Sequence, residues 1–86
     1  MAASDLKMLE LLALKKAYSR AVSDGAKLPG IMDVVDTVKG ASDPMEALES
    51  KYGADTKSNL NLVREKLAEK KGEDYADRIW KTVFGG

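Results

Sequence analysis

The chain has 86 residues, 14 basic and 14 acidic side chains, no histidine and no cysteine. That inventory removes disulfides, thiolate metal sites and the histidine ligands of most zinc, copper and iron centres. Zero formal net charge and a sequence pI of about 6.2 also deny it the excess positive charge that supplies most nucleic-acid affinity.

A composition of 44% apolar and 33% charged residues predicts a folded chain. Its length allows one domain over residues 1–86, with Gly85-Gly86 as a flexible end. Seven glycines and two prolines divide it into five helical segments. Ser4 is placed to cap a first helix from about Asp5 to Asp24, ended by Gly25. After a short linker containing Pro29, Ile31, Val34, Val35 and Val38 recur at helical spacing and predict a second helix to Lys39. The β-branched content of that segment makes a strand the competing reading. Asp43-Pro44-Met45-Glu46 combines an acidic cap, proline at the first helical position and a glutamate three residues after the cap, and predicts a third helix ending near Tyr52. Asp55 or Ser58 opens a fourth, to about Lys71, with Leu60, Val63 and Leu67 inward. The fifth covers about Glu73 to Phe84, with Trp80 and Phe84 as its core anchor. Its acid-first spacing predicts pairs between Asp74 and Arg78 and between Asp77 and Lys81. With short loops and no hairpin signal, the expected fold is all-α: a small compact bundle of about five short helices, partly orthogonal in packing.

The first helix carries more apolar surface than a surface helix uses. At 100° per residue, Leu11, Leu14 and Tyr18 form one stripe with Val22 at its edge, while Leu9 and Leu12 fall well off that face and Met8 lies between the two groups. Two arrangements satisfy this. Either the other four helices wrap the first as a central element, or one face packs on its own domain and the other meets a partner or a second copy. The second makes Met8, Leu9 and Leu12 interface candidates, with Trp80 a further one if it is exposed.

A second reading rests on the span from Met45 to Leu67, whose short helix, turn and longer helix have the connection length of a helix-turn-helix. Lys57, Asn61, Arg64 and Lys71 lie within an arc of about 80° on its second helix, and these residue types can contact phosphate, guanine or adenine. Residues 56–72 sum to +3 and residues 24–55 to −4. Against this stand the neutral total and the acidic Glu46 and Glu49 on the helix in front. Glu49 also sits where such motifs usually place a small residue, and Asn59 where they place an apolar one.

Other short patterns carry less. Ser4-Asp5-Leu6-Lys7 has the spacing of a lysine-activated serine but no oxyanion donors, so a helix cap explains it better. Asp33 with Asp36, and Glu46 with Glu49, are carboxylate pairs too small to form a calcium site. No glycine-rich phosphate loop is present. Met8 to Leu14 is apolar but is interrupted by Glu10 and followed by Lys15 and Lys16, the wrong polarity for a signal peptide, and no stretch nears the roughly 18 to 20 apolar residues of a membrane span. The expectation is therefore a non-enzymatic protein-interaction or assembly module without metal or cofactor. Its partner would be another protein or itself, with no membrane involved, and DNA binding by the helix near residues 56–71 is the alternative. Its location is cytoplasmic by default, or within a larger assembly such as a virion.

Overall fold

The computed structural model describes residues 6–85. Five helices account for 76% of them: α1 (Met8–Ser23), α2 (Ile31–Val38), α3 (Pro44–Tyr52), α4 (Thr56–Lys71) and α5 (Glu73–Phe84). No strand occurs among the described residues, so the β-branched segment is helical. Local chemistry sets the later boundaries where the sequence placed them. The Asp43 carboxylate accepts the Glu46 N–H at 3.2 Å, and Pro44 occupies the first turn of α3. Gly72, at φ +95°, is the single residue between α4 and α5. A backbone in that region suits glycine because it lacks a Cβ.

The start of α1 differs from the expectation. The helix begins at Met8 with Lys7 as its cap residue, and the Glu10 carboxylate accepts the Lys7 N–H at 2.9 Å, which satisfies a free donor of the first turn. Ser4 and Asp5, the expected cap and first residue, lie outside the described residues, as does Gly86.

α4 is the central element. α1 packs along one side of it, α5 along another and α3 against a third region, while α2 packs on α3 and touches α5. The core is built from Leu14, Ala17, Tyr18 and Ala21 of α1, Val34 and Val38 of α2, and Leu48 of α3. Leu60, Val63 and Leu67 of α4 meet Ala76, Ile79, Val83 and Phe84 of α5. The radius of gyration, 11.6 Å, is close to the roughly 12 Å expected of a well-packed chain this long. Tyr18 closes the core at the α1–α2 linker by donating its hydroxyl to the Pro29 carbonyl, and burial pushes its pKa up to about 12.

Candidate protein-docking surface

The outer side of α1 leaves several neighbouring apolar side chains uncovered. Met8 is 79% exposed, Leu9 77% and Leu12 45%. α1 is thus a peripheral helix, and the arrangement that wraps it on all sides is not the one adopted. Its buried face is centred on Leu14, Ala17 and Ala21 and includes Tyr18 and Glu10. Relative to the expected stripe this face is rotated: Leu11 is half-buried and Val22 is exposed. The cause is close packing on α4, which favours the small Ala17 and Ala21 at the contact and leaves the larger Val22 outside.

Glu10 is the one charged residue buried on that face. Besides the Lys7 N–H, its carboxylate accepts from Arg78 of α5. The Lys7 N–H, chiefly, and the Arg78 charge hold the Glu10 carboxyl below its usual pKa, while desolvation works in the opposite sense. Arg78 therefore reaches across to α1, and Asp77 reaches across to Arg64 of α4. These interhelical pairs take the place of the expected pairs with Asp74 and Lys81 within α5.

Trp80 lies apart from the α1 patch. It is half-buried against the core, its ring centroid 4.9 Å from that of Phe84, and its Nε1 is enclosed without a hydrogen-bond partner. It projects about 160° around α5 from Arg78, the residue that reaches α1. The structure thus groups Met8, Leu9 and Leu12 and places Trp80 with the core of α5.

The four α4 residues singled out for nucleic-acid contact do not share one free face. Lys57 and Asn61 are exposed. Arg64 is engaged by α5: its Nη2 lies 3.1 Å from Glu73 Oε2 and donates to Asp77, and this raises its pKa further. The Lys71 ammonium sits 6.0 Å from the centre of the Tyr75 ring. Asn59, poorly suited to a helix-turn-helix, has a structural task instead. Its side chain accepts the Lys27 N–H at 3.2 Å and donates to the Asp55 carbonyl at 3.0 Å, tying the α1–α2 linker to α4.

A group of five cations lies on the other flank of α4. α1 and α4 run antiparallel, with Asp24 paired to Lys66 and Arg20 Nη2 3.6 Å from Glu69 Oε2. Between them is a groove of about 360 Å³ walled by Lys16, Arg20, Lys66, Lys70 and Lys71. None of the ion pairs among the described residues uses Lys16, Lys70 or Lys71. Lys16 with Arg20, and Lys66 with Lys70, stand four apart, so each pair shares a helix face in the sequence. That the two faces oppose each other is a tertiary fact. Among the described residues no cluster of three or more potential metal ligands occurs, and no helix is long and apolar enough to cross a membrane. Comparison with protein-family models, with curated proteins and with solved structures finds no match.

Proposed function

We propose that this chain is a non-enzymatic protein-binding or assembly module that docks through the outer face of α1. One observation carries the reading: Met8, Leu9 and Leu12, three large apolar side chains within two helical turns, are exposed side by side in a domain with few large apolar residues to spare for its core. Scattered exposed leucines are ordinary, but an adjacent set of this kind is the usual signature of an interface. The neighbouring Lys15 and Lys16 give the patch a cationic border and make an acidic partner surface the better match. As a nucleic-acid binder the chain is less well equipped, because Arg64 is already neutralised by two carboxylates of α5.

The test is site-specific photocrosslinking in the native host, with a photoreactive residue at position 12 and, as control, at position 65 on the outer face of α4. The expected result is a protein adduct of defined mass from position 12 and none from position 65. Equal labelling from both positions, or no protein adduct from position 12, would remove the reading.

A further inference from the structure

The groove between α1 and α4 continues the exposed apolar patch. Leu9, Ala13, Lys16 and Arg20 follow one another along α1 at i, i+4, i+7 and i+11, so they share one edge of the helix, apolar at its N-terminal end and cationic beyond. The groove floor is Ala13, Ala17 and Leu67, small enough at the two alanines for another helix to approach closely. Of its five cations, Lys66 pairs with Asp24 and Arg20 with Glu69, and the other three take part in no ion pair among the described residues, so the site carries an excess of positive charge. A complementary occupant is an amphipathic helix with an apolar edge flanked by acids.

This chain carries such a helix. Outside α1 the large apolar side chains exposed among the described residues are Met32 and Leu62. Leu62 sits among side chains of both signs on α4. Met32 sits on α2 with half-buried Val35 on one side and exposed Asp36 and Asp33 on the other. Neither aspartate takes part in an ion pair among the described residues. α2 faces its own domain through Val34 and Val38, packing on α3 and α5, which leaves the edge from Met32 to Asp36 outward. Residues 24–55, which contain α2, sum to −4, against +3 for residues 56–72.

We propose that the occupant of the α1–α4 groove is α2 of a second copy of this chain, with Met32 and Val35 against Leu9 and Leu12 and with Asp33 and Asp36 facing Lys16, Lys70 and Lys71. This rests on the reading of α1 as a docking surface and names its partner. The two contacting patches differ, so the contact is head-to-tail. Each bound copy still presents one free groove and one free α2, and association proceeds to a ring or a filament.

The experiment compares three proteins by sedimentation, from about 10 μM to about 1 mM to cover weak contacts. They are the natural chain, a groove variant, Lys16→Glu with Lys70→Glu, and an α2 variant, Met32→Gln with Asp36→Asn. All the substituted side chains are exposed, and unchanged helical circular dichroism establishes that each variant is folded. If one is not, Lys16→Gln with Lys70→Gln, or Asp36→Asn alone, replaces it. The natural chain is expected to gain mass with concentration beyond a dimer and to lose it in about 0.5 M salt. Each variant alone should associate at least about tenfold more weakly. Mixed, the two should form a one-to-one pair and nothing larger, because one intact groove then meets one intact α2.

A natural chain that stays monomeric over the whole range would overturn the proposal. The α1 reading would then stand or fall on whether position 12 crosslinks to a different protein. An α2 variant that associates as well as the natural chain while the groove variant does not would also overturn it, and would assign a symmetric α1-to-α1 contact. Failure of the mixed variants to pair has the same consequence for the head-to-tail contact.

Discussion

Glu10 has two structural roles that its neighbours in sequence do not announce. Its carboxylate closes the first turn of α1 through the Lys7 N–H and meets Arg78 across the fold. A glutamate three residues into a helix is a familiar cap element, but lysine is a poor companion cap, so Ser4 looks like the better start in the sequence. The partnership with Arg78 spans 68 positions and leaves no local trace. Its consequence is a pH dependence with a definite sign. The native carboxyl is held below its usual 4.5, so the unfolded chain takes up the proton first as pH falls. Glu10 therefore contributes stability above about pH 4.5 and loses it as pH drops through the lower native pKa. Glu10→Gln, which keeps the size and removes the charge, is expected to lower the melting temperature near pH 7 and to flatten its decline over the acid range below about pH 5. Thermal melts across that range check it, and an acid limb equal to that of the natural chain would refute it.

Helix ends were legible in the sequence and helix faces only in part. Glycine and proline act through the local backbone, so the bounds of α2 to α5 follow from residues a few positions apart. Which face is buried depends on what packs opposite. Weighting α1 by large side chains puts Leu11 and Val22 on the inner stripe, yet its contact with α4 is made largely through Ala17 and Ala21. In α5 the acid-first spacing predicted pairs within the helix, but Asp77 and Arg78 found partners on α4 and α1. The groove has the same origin, since two ordinary lysine and arginine pairs become one cationic site only when α1 and α4 are laid side by side. Gly72 offers a direct measure of how local the boundary chemistry is. A Cβ placed there meets nothing within 4 Å, so the cost of Gly72→Ala is backbone strain at φ +95° alone. The expected loss is about 1 to 3 kcal/mol in urea unfolding. A neutral result would mean that α4 and α5 can be joined with a different backbone conformation.

At the scale of the whole molecule, the same α1 supplies leucines to two different tasks. Leu14 is 3% exposed and belongs to the core, whereas Leu9 and Leu12 face outward. A domain this small has a total stability on the order of 5 kcal/mol, so core and surface leucines should separate sharply on substitution. Leu60, fully buried on the central helix, is expected to cost about 2 to 5 kcal/mol as Leu60→Ala, which at its upper end removes the whole stability of the fold. Leu9→Gln with Leu12→Gln removes about as much apolar surface from the sequence but takes none from the core. In dilute protein its melting temperature should match that of the natural chain, with a stability change within about 0.5 kcal/mol. At high concentration the two should diverge. Association that involves the α1 face adds a concentration-dependent increment to the natural melting temperature, and the double variant should lack it. Melts at both ends of the concentration range distinguish folding from docking. A double variant as destabilised as Leu60→Ala in dilute solution would place Leu9 and Leu12 among the residues that hold the monomer together.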